Sequence, residues 1–317
     1  MRLSRNAISW LREGRWLSKY AALVLGFMVV VILEGAVVRA TGSGAGCGQH
    51  WPLCNGQIIP HHPRVATIIE FAHRSLTGIL STLVITLALW TFFSRPKGHP
   101  ARRAMGWTLV LLLVEALLGA VLVLGQYVEH NTSNARVFVQ GIHFTNTMLL
   151  LAALTLTWWW SADREEDGTP LPPETRTVAW VAVLASILTG AAGSVAALAD
   201  TLFPSTSFVE GLRADLSPTA PLLIRMRWIH PTAAVIAFVC ALWFMVRLRT
   251  TPARWFAALM ALQLVLGAMD VVLLAPLWLQ VAHLAVADAV WAALIVACSH
   301  LLIRRPAPAL QFAIHTT

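Results

Sequence analysis

Apolar residues in this chain come in long runs, and short polar or charged stretches separate them. The run from Ala21 to Val38, for example, contains one charged residue, Glu34. A membrane-spanning helix needs about twenty mainly apolar residues. On that measure the pattern predicts eight, near 20–39, 66–93, 104–127, 135–160, 177–199, 223–246, 255–274 and 277–303. The runs lack the alternation of a barrel strand. With no water to bond in hydrocarbon, backbone groups must then be satisfied within each segment, as helices. The expected fold is therefore an all-α membrane protein.

The chain also resembles itself. Gln140-Gly-Ile-His143 opens the fourth run and Gln280-Val-Ala-His283 the eighth. Glu70-Phe-Ala-His73 in the second matches Arg227-Trp-Ile-His230 in the sixth, and Leu118-Gly119-Ala120 in the third matches Leu266-Gly267-Ala268 in the seventh. Two duplicated four-helix bundles would enter the membrane in the same sense, related by a pseudo-two-fold along its normal. The expected division is 1–162 for the first bundle, 163–176 for a cytoplasmic linker and 177–317 for the second bundle.

Composition agrees with lipid as the main solvent, since 57% of the 317 residues are hydrophobic and 12% charged. A net charge of +8 could point to nucleic acid, but the basic residues sit mostly in short loops beside the spans. With a cytoplasmic N-terminus, sixteen lie on inner segments and six on outer ones, with Arg74 inside a span. That bias excludes a nucleic-acid stripe and puts both termini inside the cell membrane. The first apolar run is too long for a signal-peptide core, so it is expected to be a retained helix. The arginines before it leave a transit peptide as the alternative.

His73, His143, His230 and His283 all fall on even-numbered spans, seven to nine residues from the outer boundary. At a rise of about 1.5 Å per residue they share a depth of roughly 10–13 Å. Parallel helices offering imidazoles at one height can hold a planar iron macrocycle between them, pairing His73 with His143 and His230 with His283. A single intramembrane histidine is more often a polar residue satisfied by a neighbour. Four at matched depth argue for ligands, because buried ionisable groups are costly.

Glu70 shares a helix face with His73, where a carboxylate could orient water, take a proton or stabilise a developing cation. A salt bridge to Arg74 or Arg64 is the structural alternative. Arg227 occupies the matching place in the second half, so the two sites are chemically unequal, which suggests that one reacts and the other holds cofactor. Cys47 and Cys54 flank a short outer loop and are expected to form a disulfide, either structural or able to exchange with another dithiol. Glu34, Glu115, Asp270 and Asp288 are further acids within spans and are left outside the expected site.

These segments, from Arg39-Ala-Thr-Gly-Ser-Gly-Ala-Gly-Cys47 through Trp51-Pro-Leu-Cys54 and Glu70-Phe-Ala-His73-Arg74 to the later histidines, resemble the heme A synthase family. The likeness implies an oxidoreductase that converts the haem O methyl group to a formyl group by successive hydroxylations, giving haem A for terminal oxidases. It implies that Glu70, His73 and His143 serve the substrate haem, while His230 and His283 hold haem b. Expected partners are the bilayer, a haem O-producing farnesyltransferase and an electron acceptor, and a homo-oligomer is compatible. The long outer segment at 200–222 departs from the family pattern. A dihaem b-type electron-transfer cytochrome would use the same histidines but leaves Glu70 and the cysteine pair without a role. A di-iron carboxylate bundle needs a second Glu-x-x-His, and a transporter would place its ligands at the midplane.

Overall fold

A computed structural model describes residues 14–162, 172–248 and 251–299. The helices are α1 (Gly14–Ala40), α2 (Val65–Ser94), α3 (Pro100–Leu124), α4 (Asn134–Ser161) and α5 (Pro173–Leu202). They continue as α6 (Phe208–Leu216), α7 (Leu222–Arg225), α8 (Ile229–Leu248), α9 (Thr251–Val272) and α10 (Leu277–Cys298). Among the described residues eight helices are long and apolar enough to cross a membrane, with α7 and α8 together making one span. The protein is a multi-pass membrane protein built from the eight predicted runs.

Local chemistry sets several helix starts. Proline sits in the first turn of α3 and α5, where its missing N–H is no loss. The His99 ring accepts from the amide of Ala101 at 3.2 Å, and the Ser133 hydroxyl accepts from that of Arg136 at 3.3 Å. Outward faces are apolar: α3 exposes Trp107, Val110, Val114, Leu117, Val121 and Leu124, a helical stripe that suits lipid contact.

Two rings of four helices result. In one, α1 packs on α2, α2 on α3, α3 on α4 and α4 back on α1. The other runs α5 to α8, α8 to α9, α9 to α10 and α10 to α5. Helices α1 and α4 of the first ring meet α5 and α10 of the second, and the Trp291 indole donates to the Met148 carbonyl at 2.7 Å across that seam. The histidine-bearing helices α2 and α4, and likewise α8 and α10, lie on the diagonals of their rings.

Two boundaries differ from expectation. The sixth span was expected to be one helix over 223–246, but it breaks between Arg225 and Ile229. Pro231 has no N–H to donate to Arg227, so the chain closes three-residue turns there, including His230 N–H to the Arg227 carbonyl at 3.2 Å. Helix α5 begins at Pro173, inside the expected linker, while 163–171 lie outside the described residues. The outer 200–222 segment carries α6, whose Phe208, Val209, Leu212 and Leu216 are all exposed.

Candidate functional site

Each of the four histidines lies seven to ten residues in from the start of its span. All are half-buried, and three rest against a bare helix backbone. A Cβ placed on Gly35 would come within 3.0 Å of Cε1 of His73. One on Gly193 would come within 2.9 Å of His230, and one on Gly267 within 3.0 Å of His283. The neighbouring helix therefore omits a side chain where the imidazole must fit.

Nδ1 of His73 lies 2.6 Å from Oε2 of Glu34 on α1. Nδ1 of His143 lies 3.6 Å from Oε1 of Glu115 on α3, whose carboxylate also accepts from the Asn146 amide at 2.6 Å and from the Thr147 hydroxyl. In the second ring, Nδ1 of His230 is 3.0 Å from the Thr189 carbonyl, and Nε2 of His283 is 3.2 Å from the Gln263 amide nitrogen. The His230 and His283 rings stand nearly perpendicular, with planes at 86° and centroids 6.2 Å apart.

That spacing fits an axially bound metal. Two metal–imidazole bonds of about 2 Å each fill some two-thirds of the 6.2 Å between centroids, and the rings account for the rest. Among the described residues no three His, Cys, Asp or Glu side chains converge as a metal site. A bare ion would find too few ligands, whereas a macrocycle brings four equatorial ones with it.

The loop between α1 and α2 is tied down over the first ring. Cys47 and Cys54 are disulfide-bonded with both sulfurs buried, which favours a structural role because exchange requires access. Glu70, 3% exposed, accepts from the Cys47 amide at 2.7 Å and pairs with Arg74. Arg74 in turn donates to the carbonyls of His50 at 2.6 Å and Leu53 at 2.7 Å. Gly46 presses so close to α2 that a Cβ would collide with the Ala66 carbonyl. The salt bridge set out as the structural alternative for Glu70 is thus present.

Arg227 does the matching job in the second ring with reversed charge, pairing with Asp200 at 3.0 Å and Asp215 at 2.7 Å. It fastens the end of α5 and α6 to the α7–α8 turn. The rings are also linked to each other, because Arg39 of α1 donates to the Ala197 carbonyl at 2.6 Å and to Oε1 of Gln280 at 2.7 Å.

Residues 18–295 match the family described as COX15-CtaA, cytochrome oxidase assembly protein. The chain belongs to the COX15-CtaA family. Among COX15-CtaA relatives, a protein from Thermus thermophilus named protoheme IX farnesyltransferase is 44% identical over 287 residues. That match takes in 87% of this chain and 46% of the relative. Proteins named heme A synthase are 34% identical over 143 residues in Exiguobacterium sibiricum and 39% over 149 residues in Halalkalibacterium halodurans. Those matches cover 45% and 46% of this chain, and 46% and 45% of the relatives. The chain thus spans about half the length of the curated relatives it matches.

In this COX15-CtaA chain the sequence reading left Glu34 and Glu115 outside the site and did not single out Gln263 or Thr189, whereas the structure places all four beside the histidines. A signal for two of them existed, because Glu115 and Gln263 each stand four residues before the glycine of the matched Leu-Gly-Ala segments. The bare glycines give a direct test. Alanine at Gly193 should leave the helices assembled, since only an imidazole has to move, yet displace His230. On the proposal below that His230 holds haem, bound haem per polypeptide in that ring should fall about tenfold, within the range for disturbing a ligand's supporting contacts. Haem content by pyridine haemochrome, beside an unchanged circular dichroism spectrum, checks it.

Proposed function

We propose that the chain is a heme A synthase of the cell membrane, with both termini cytoplasmic. The bundle within 1–162 takes substrate haem O between His73 and His143, and the bundle within 177–317 holds haem b between His230 and His283. The observation that carries this reading is the His230 and His283 imidazole pair, with ring centroids 6.2 Å apart, on helices diagonal to each other in their ring. Family membership supports a role in cytochrome oxidase assembly, and relatives named heme A synthase support haem A as the product. A relative named for haem farnesylation supports a farnesyltransferase as the source of haem O.

The reaction converts a ring methyl and one water to a formyl group, four protons and four electrons. Each of two rounds removes two electrons from the carbon, adds a hydroxyl from water and releases two protons. The diol then loses water. The four electrons leave to a membrane electron acceptor, and haem b, when bound, supplies a one-electron relay on that route. The protein's own residues hold and shield the substrate. His73 and His143 fix its plane, and the disulfide-closed loop covers the outer end of the ring. Glu70 offers a fixed negative group near carbon that becomes cationic. Its oxygens already accept from the Cys47 amide and Arg74, so stabilising charge suits it better than activating water.

Haem extraction and chromatography, from cells that express the full chain with a haem O source, test the proposal. Haem A should appear with the chain and be absent without it. The extract of a dihaem electron-transfer cytochrome would contain unmodified haems only.

A further inference from the structure

The partners of the four histidines differ between the rings in charge. Both partners in the first ring are carboxylates, Glu34 at 2.6 Å from His73 and Glu115 at 3.6 Å from His143. Both in the second are neutral, the Thr189 carbonyl at 3.0 Å from Nδ1 of His230 and the Gln263 amide nitrogen at 3.2 Å from the other ring nitrogen, Nε2, of His283. The exchange is in register. Glu115 and Gln263 lie four residues before Gly119 and Gly267, and Glu34 precedes Gly35 where Ala192 precedes Gly193.

An acidic side chain within a span is costly, about 2.5–3.5 kcal/mol at a helix centre on insertion scales. The second ring shows that the same helix arrangement forms with alanine and glutamine in those places, so packing does not demand the acids. Their placement against the ring nitrogens gives them a different use. A carboxylate facing Nδ1 fixes which nitrogen is left for a metal and makes the imidazole a stronger donor. A stronger donor favours ferric over ferrous iron and lowers the potential. Glu34, 2.6 Å from His73, and Glu115, held by Asn146 and Thr147 at 3.6 Å from His143, both act through their charge.

We propose that Glu34 and Glu115 are positioning residues that make the first-ring haem the lower-potential of the two, with Gln263 and the Thr189 carbonyl leaving the second higher. The proposal rests on the four histidines being haem ligands, as argued above. It gives the pair of sites a direction: electrons withdrawn at the substrate ring run downhill to the other.

The test uses the full-length, haem-loaded protein and spectroscopic redox titration. With His230→Ala and His283→Ala present, only first-ring haem remains. Adding Glu34→Gln and Glu115→Gln should lower its ferric-to-ferrous ratio at fixed potential at least tenfold, equivalent to about 59 mV upward for one electron. With His73→Ala and His143→Ala present instead, Gln263→Glu should raise the ratio of the second-ring haem. This arm stands even where the double glutamine variant fails to assemble. Ratios that move less than twofold in either arm overturn the proposal while leaving the haem sites intact. Absence of any haem from the His230→Ala, His283→Ala protein overturns the ligand reading itself, a result that no potential is needed to recognise.

Discussion

Alanine at His230 or His283 is expected to strip haem from the second ring and, with it, all turnover. On the proposed reading each imidazole would supply one bond to the haem iron, and the pair stands 6.2 Å apart. Disturbing an outer contact of a metal ligand commonly weakens binding 10–100-fold, so losing the ligand should exceed about 100-fold. The fold should survive, because both histidines are half-buried and not part of the packed core. Pyridine haemochrome should fall to one haem per chain, with the Soret band reduced and not abolished. A variant that keeps two haems and full haem A production would remove His230 and His283 from the cofactor site.

Much of this architecture was readable in the chain. Lipid requires long apolar runs, so the eight spans stand out directly, and the Gln-x-x-His and Leu-Gly-Ala repeats marked corresponding helices. What could not be read was the lateral order of helices. Nothing in the sequence says that Glu34 on α1 meets His73 on α2, or that Arg39 crosses to α5 and α10. Such contacts depend on helix rotation and neighbour choice, which apolar faces in lipid specify weakly. The break before α8 was foreseeable, since Pro231 rules out a regular helix at that turn.

The Glu70/Arg227 difference also takes on a second meaning. Read from sequence, it suggested one reactive half and one cofactor half. In the structure both residues fasten an outer segment to a histidine-bearing helix, one through a carboxylate and the other through a guanidinium. A structural clamp therefore accounts for a long polar side chain three residues before each histidine. The charge asymmetry that reaches the imidazoles comes from Glu34 and Glu115 instead.

Glu70 can still be tested for both duties. Alanine there leaves the buried Cys47 amide without its acceptor and Arg74 without its carboxylate, although Arg74 keeps the His50 and Leu53 carbonyls. Breaking a buried pair in this way typically costs about 3–5 kcal/mol. The loop should loosen, exposing the disulfide to reductant, and haem A production should fall about 100-fold or more. Haem binding should persist, because His73 and His143 are held by other groups. Glutamine separates the duties, since its carbonyl can accept from Cys47 while the charge is gone. If the charge matters to the oxidised carbon, Glu70→Gln should keep the disulfide protected and bind haem normally, yet lose at least about tenfold in turnover. Full turnover with a protected disulfide would leave Glu70 as a clamp alone, and the proposed stabilisation of the cationic carbon would have to be dropped.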